Sequence, residues 1–380
     1  MANQVKDIVA ILEHHYPPYL ASSWDNCGLQ LGSYSAPVKK VGVALELEPE
    51  VVEAAIGSGV DMIITHHPLF FQGLKRLEAD TPQGKTIYKL INAGISVYSA
   101  HTNLDAASQG LNQHLAEMLQ LQDIKPLTTD KQDELYKVVV YVPFDHVKAV
   151  QTAMAEAGAG HIGKYSACSF RTPGIGSFCP EEGSQPFIGS VGILEEVEEY
   201  RLETVIEHNG LQRVLQAMHS AHPYEEVAYD VYRLVNGGRI YSMGRKGKLP
   251  QPCSLESLAE RVKTVFYCPG VRVAGNRRQM IQRVAVISGS GGSVLTKIDP
   301  QQAEVVITGD VKYHEAQEAR LKGLNLIDAG HQELERHMIP LVCDLLADES
   351  KAPGVFPGGY RTECAARAFS ILLSLKSISF

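Results

Sequence analysis

One pattern constrains this chain more than any other: a pair of short apolar runs occurs twice at one spacing. Residues 38–45 and 61–65 form the first pair, residues 281–287 and 304–308 the second. Val41 and Val284 are 243 positions apart, and so are Ile63 and Val306. A third run follows in each half, at 94–100 and at 323–329. Short apolar runs separated by helical stretches, such as residues 49–58, read as parallel strands buried on both faces. Two β-α-β-α-β series predict an α/β fold, an internally duplicated core whose sheets are flanked by helices.

The segment between the halves has another rhythm. Residues 136–142, 200–206 and 227–232 read as strands, 145–157 and 209–220 as helices, with Asn209 a candidate N-cap. A β-rich stretch with glycine and proline punctuation spans 164–194. Strand-helix-strand twice over predicts a ferredoxin-like α+β inserted domain. The expected organisation is a first core half at 1–127, the insert at 128–245, a second core half at 246–350 and a tail at 351–380. The 380 residues are ample for two or three domains.

Composition excludes several classes. A net charge of −8 without any Lys/Arg run argues against nucleic-acid binding. Seven cysteines, never spaced C-x-x-C, predict neither a disulfide framework nor a structural zinc site, so the expectation is a reducing cytoplasm. The first residues carry no apolar signal-like stretch, and residues 368–375 are too short to span a bilayer. No membrane partner is expected.

Chemistry concentrates where the apolar runs stop. Thr65-His66-His67-Pro68 follows the second run. Adjacent strand residues point to opposite faces, so both imidazoles meet one site only where the strand has ended. Carboxyl ends of parallel strands are also where α/β sheets place ligands. His101 and Asp105 follow the third run, and His331 and Glu335 hold the corresponding place in the second half. At i and i+4 on a helix, His331 and Glu335 share one face. His66, His67, Asp105, His331 and Glu335 therefore offer three imidazoles and two carboxylates, a set suited to two divalent ions, zinc or iron first and manganese as a further candidate. The mixed nitrogen and oxygen set argues against calcium and magnesium. His101 and His314 are candidate catalytic proton carriers, with Asp310 in a supporting place.

Five ordered motifs carry a resemblance: residues 24–32 (Trp24-Asp25-Asn26-Cys27-Gly28 onward), 65–68, 99–105, 308–314 and 328–335. In these the chain resembles the GTP cyclohydrolase 1 type 2 homologues, ring-forming proteins with a dinuclear metal centre, over nearly its whole length to about residue 345. The resemblance implies the same five ligands, a toroidal homohexamer with metal sites facing an interior cavity, and an insert similar to PII- or CutA-like domains, whose trimers would cap the ring. Two positions depart from the family pattern, Glu46 for an aspartate and Gln332 for a histidine, and neither removes a ligand. The expected function is that of a metal-dependent hydrolase, acting on a nucleotide or small phosphorylated substrate through a metal-bridging hydroxide. The alternative is a non-catalytic ring that stores, delivers or senses metal, with the insert as a regulatory gate.

Three weaker signals remain. Ser288-Gly289-Ser290-Gly291-Gly292-Ser293 is a candidate phosphate cradle without P-loop spacing. His222-Pro223-Tyr224-Glu225-Glu226 reads as a turn before the last strand of the insert. Trp24, the single tryptophan, reads as a loop anchor beside the site.

Overall fold

The computed structural model describes residues 3–349 and 376–379. They divide into two compact units, one made of the residues up to Asp130 with those from Tyr241 onward, the other Lys131–Ile240. The expected tail at 351–380 lies outside the described residues except for its last strand.

The first half of the larger unit comprises α1 (Val5–His15), β1 (Gly28–Leu31), β2 (Lys40–Ala44), α2 (Pro49–Gly57), β3 (Met62–Thr65), α3 (Pro82–Asn92), β4 (Ser96–Ser99), α4 (Thr102–Ala106), α5 (Leu111–Met118) and β5 (Gln122–Pro126). The smaller unit comprises β6 (Lys131–Pro143), α6 (Val147–Glu156), β7 (Ser169–Phe178), β8 (Glu195–Glu207), α7 (Leu211–Ala221) and β9 (Tyr229–Tyr241). The rest comprises β10 (Arg245–Ser254), α8 (Leu255–Val265), β11 (Arg272–Ala274), β12 (Met280–Ser290), β13 (Val305–Gly309), α9 (Tyr313–Leu321), β14 (Asn325–Asp328), α10 (His331–Glu335), α11 (Met338–Glu349) and β15 (Lys376–Ser379).

Two sheets of the larger unit share one plan. The first runs β1-β4-β3-β2-β15, the second β11-β14-β13-β12-β10-β5. In each, three parallel strands form the centre (β2, β3, β4 and β12, β13, β14), and an antiparallel strand closes either side of them. Alternation along the strands decides what each face meets. Val41, Val43, Met62, Ile64 and Tyr98 join Val284, Val286, Val305, Ile307 and Ile327 in one central cluster with α1, α5, α8 and α11. Ile63 and Val97 turn instead toward α2 and α3, and Ala285, Val306 and Leu326 toward α9. Burial on both faces explains why these runs carry no polar alternation. Each fully buried Val or Ile contributes about 2 kcal/mol relative to exposure.

Local sequence sets the helix starts. Thr81 accepts the Gly84 amide with Pro82 at the first helical position of α3, and Ser254 accepts the Ser257 amide at α8. Asn209 does not cap α7 as the sequence suggests: a 3-10 turn, His208–Gly210, precedes the helix and Gly210 takes the N-cap position.

The smaller unit is one sheet, β7-β8-β6-β9, with β8 antiparallel to both β7 and β6. Val138, Val140, Val142 and Leu202 pack with α6 and α7 through Val150, Met154, Val214 and Met218. No described helix is long and apolar enough to cross a membrane.

Arg245 joins the halves of the larger unit. It is 2% exposed and donates to the carbonyls of Ser242, Gly244 and Ala107 at 2.8, 3.2 and 2.6 Å. Burial lowers its pKa to about 10, so it stays charged at neutral pH with carbonyls rather than a carboxylate around it. Arg245→Met would remove three charge-assisted hydrogen bonds to these carbonyls, and we expect a loss of about 3 kcal/mol, read from the denaturant midpoint of the full chain. A midpoint within experimental error of the parent would refute this role.

Candidate metal centre

The strand ends deliver the chemistry. His66 and His67 follow β3, where both amides donate to the Leu45 carbonyl (3.1 and 2.9 Å), so the strand is over and both rings can turn to one side. Each half then closes its third central strand with a one-turn helix, α4 carrying Asp105 and α10 carrying His331 and Glu335. The approach to α10 needs a glycine: Gly330 has φ +91, a left-handed conformation that side chains disfavour.

Four of the five expected ligands surround the fifth, Glu335, which is 4% exposed. Its Oε2 lies 3.0 Å from His67 Nε2 and 2.9 Å from His331 Nε2. Its Oε1 lies 3.5 Å from His66 Nε2, which in turn lies 3.6 Å from Asp105 Oδ2. His67, His331 and Glu335 fall within the span of a single ion's ligands. Neither His66 Nε2 nor Glu335 Oε2 has an aligned hydrogen bond, although both are buried. Buried polar atoms are ordinarily paired, and two orphaned lone-pair donors on opposite sides of one cluster fit a cation bound at either.

Other side chains fix the orientation of these groups. His66 Nδ1 donates to the Ala100 carbonyl at 2.9 Å, leaving Nε2 as the free donor atom. His331 Nδ1 is 2.8 Å from Asp310 Oδ2, and Asp310 itself holds φ +54. Such second partners set the imidazole tautomer at metal sites. Asp105 Oδ1 accepts from Ser288 Oγ at 2.8 Å. Asn112, fully buried, spans both halves: Nδ2 reaches the Asp105 and Met243 carbonyls and Ser288 Oγ, while Oδ1 accepts the Ser288 amide at 2.7 Å.

The buried carboxylates and imidazoles shift one another's protonation. Burial would depress His66, but Asp105 and Glu335 outweigh it and raise its pKa to about 9. The Glu335 hydrogen bond raises His331 to about 9 against partial burial. Burial pushes Asp105 up, only partly offset by His66. Glu335 is held well below the carboxylate range, because His66, His331 and His67 overcome its burial.

His101 sits beside the cluster, its ring 5.0 Å from that of His66 and 5.7 Å from that of His67. Its Nδ1 is 2.8 Å from Asp25 Oδ1. Asp25 also accepts from Thr102 and from Cys27 Sγ, and these bonds hold its pKa far down despite burial. Trp24 stands beside the site, as the sequence suggests, but with its ring largely open to solvent. It is 63% exposed, 5.9 Å from the His101 ring, and Phe71, 53% exposed, lies 5.7 Å from the same ring. His314 is exposed on α9 against Tyr313 and shares none of the cluster's hydrogen bonds or ring contacts. Glu46 Oε2 stands 3.7 Å from His67 Nδ1.

The glycine-serine loop has two of its amides engaged within the protein. Its Ser288 and Gly291 amides donate to Asn112 and Thr308. His222 uses both ring nitrogens, on the Tyr141 carbonyl and the Tyr224 amide, as a turn would. Asn112, Ser288 and Asp25 carry roles that the sequence reading did not assign. Asp25 and Ser288 had local signals, their places in the Trp24–Gly28 motif and in the glycine-serine run, whereas Asn112 had none.

A family model described as Duf34/NIF3 (NGG1p interacting factor 3) matches residues 3–356. A Bacillus subtilis protein named GTP cyclohydrolase 1 type 2 homolog is 42% identical over 326 residues, 86% of this chain and 87% of that one. A Halalkalibacterium halodurans protein of the same name is 41% identical over 324 residues, 85% of this chain and 87% of its own. Among solved structures, a Bacillus cereus protein related to NIF3 superposes with a TM-score of 0.84 at 40% identity, covering 91% of this chain and 95% of that one.

A Cβ on Gly289, where φ is +59, would overlap Glu335 Oε1. We expect Gly289→Ala to weaken zinc binding at least tenfold in equilibrium dialysis. Gly94→Ala, also at positive φ (+70) but facing open space, is expected to lose some stability and keep its zinc. Equal zinc retention by the two variants would refute the role given to Gly289.

Proposed function

The chain belongs to the DUF34/NIF3 family, and from that premise we propose that it is a metal-dependent hydrolase acting on a nucleotide or small phosphorylated substrate. One observation carries the reading: the two oxygens of Glu335 face separate partners, His67 and His331 on one side, His66 with Asp105 on the other. A carboxylate so placed suits two neighbouring cations, zinc or iron by the chemistry of the donors. When bound, such ions act as Lewis acids and lower the pKa of coordinated water. The names of the relatives in Bacillus subtilis and Halalkalibacterium halodurans point to the same broad chemistry.

The protein's own groups divide the remaining work. Asp25 holds His101 by Nδ1, which leaves Nε2 to take or give a proton at the cluster. The ionised state of Asp25 favours the Nδ1–H tautomer. Ser288 and Asp310 hold Asp105 and His331 in place, so the donor atoms are set before any cation arrives. Trp24 and Phe71, both exposed and 5.9 and 5.7 Å from the His101 ring, suit a flat substrate group such as a base.

The reading extends to the insert and the assembly. The smaller unit has the element order β-α-β-β-α-β and the spatial order β7-β8-β6-β9, which support a ferredoxin-like, PII- or CutA-like domain. A cytoplasmic homohexameric ring is the assembly we propose, to be checked by sedimentation of the full chain at several concentrations.

Metal analysis and a turnover screen on one preparation test the function. We expect two ions per chain, lost in a His331→Ala, Glu335→Ala double variant. The loaded protein should hydrolyse a nucleotide or phosphoester well above free metal. His101→Ala should keep its metal and lose about 10²–10⁴ in kcat. Full occupancy without turnover would sink the hydrolase and favour metal storage or delivery.

A further inference from the structure

A second site lies in the smaller unit, in a cavity of about 700 Å³ on the face of its sheet opposite to α6 and α7. The volume is in the range of small-molecule sites. Sequence creates the hollow. In Pro173-Gly174-Ile175-Gly176, the two glycines of β7 lie on the cavity face. Gly174 pairs with Glu199, so both point to the same side of the sheet. A Cβ at Gly174 would meet nothing within 4 Å, whereas one at Gly176 would overlap the Glu199 carboxylate. Glycine inside a strand marks a bulge or a close approach; no register shift accompanies these two.

Glu199 lines this cavity and is only 7% exposed. Tyr224 donates its hydroxyl to Glu199 Oε1 at 3.0 Å. The Tyr224 ring lies 5.9 Å from that of Phe178 and 6.2 Å from that of Phe187, and all three line the cavity. Glu225 and Glu226 also line the cavity. The single cation among the lining residues, Arg201, is already paired with Glu203 at 3.1 Å. The cavity thus combines a buried carboxylate, aromatic walls and a surplus of negative charge.

We infer that this cavity binds a small organic cation, an amidinium or ammonium group on a flat apolar body, with its charge on Glu199 and its body against Phe178, Phe187 and Tyr224. Burying a carboxylate is costly unless it is paired, and a bound cation supplies the partner. Aromatic faces add attraction for the same charge. The site is separate from the metal centre and does not depend on the hydrolase reading.

Benzamidine titrated into the full chain, followed by calorimetry and ligand-observed NMR, tests this, with neutral benzamide as the matched control. We expect saturable benzamidine binding at least tenfold tighter than that of benzamide, and Glu199→Gln should abolish the difference. Gly174→Val puts a side chain into the hollow, where a Cβ meets nothing within 4 Å, and should remove binding while the unit stays folded by circular dichroism. Glu335→Ala should leave benzamidine affinity unchanged. Equal affinity for the two probes, no saturable binding, or insensitivity to both Glu199→Gln and Gly174→Val would overturn the site. So would benzamidine-insensitive self-association that Phe187→Ala abolishes, because the cavity would then be a face for a second copy of the chain.

Discussion

A single buried carboxamide, that of Asn112, sets the geometry on which the centre depends. It joins the carbonyls of Asp105 and Met243 to both the amide and the hydroxyl of Ser288. Asp105 belongs to the first half of the core and Ser288 to the second. Each half offers an incomplete set of donors: His66, His67 and Asp105 on one side, His331 and Glu335 on the other. No contact within either half could bring Glu335 to within 3.0 Å of His67. An amide can donate and accept at once, which a carboxylate or an aliphatic residue cannot do. The buried network is therefore specific as well as satisfied.

The centre is built so that side chains are oriented by groups that do not themselves face the cluster. His66 leans on a backbone carbonyl, His331 on Asp310, His101 on Asp25 and Asp105 on Ser288. Each bond uses one atom of the residue and frees the other for the cluster. The arrangement has a cost, because buried carboxylates and imidazoles raise and lower each other's protonation. Asp310 with its left-handed backbone is part of that cost.

Much of this was legible in the residue order, for a physical reason. Strands buried on both faces must be apolar throughout, so residues 62–65 and 305–309 stand out, and the chain can place polar groups only after them. His66, His67, His331 and Glu335 were readable because they occupy those ends. Asn112 and Ser288 were not, because their meaning lies in bonds spanning 176 residues. Asp25 reaches His101 across 76. A glycine-serine run after a strand reads locally as a candidate phosphate cradle, and the bond by which Ser288 steers the Asp105 carboxylate is not readable from it. The place of Trp24 beside the site was readable from its motif, whereas its exposure and its edge contact with the His101 ring depend on surroundings that the sequence does not show.

The way the smaller unit is spliced in carries its own consequence. The chain leaves the core after β5 and returns into β10, and these strands pair, with Leu127 bonded to Gly244 and Asp130 to Tyr241. Topologically the whole insert is the loop of a hairpin. A disordered loop on the order of a hundred residues would weaken that hairpin by about 3 kcal/mol relative to a tight turn. A folded loop whose end strands, β6 and β9, are neighbours avoids most of this penalty. The insert's own folding thus acts as a clasp on the strands beside the centre. Melting it would loosen β5 and β10 first, and lengthening its internal turns should be felt far less than separating its ends.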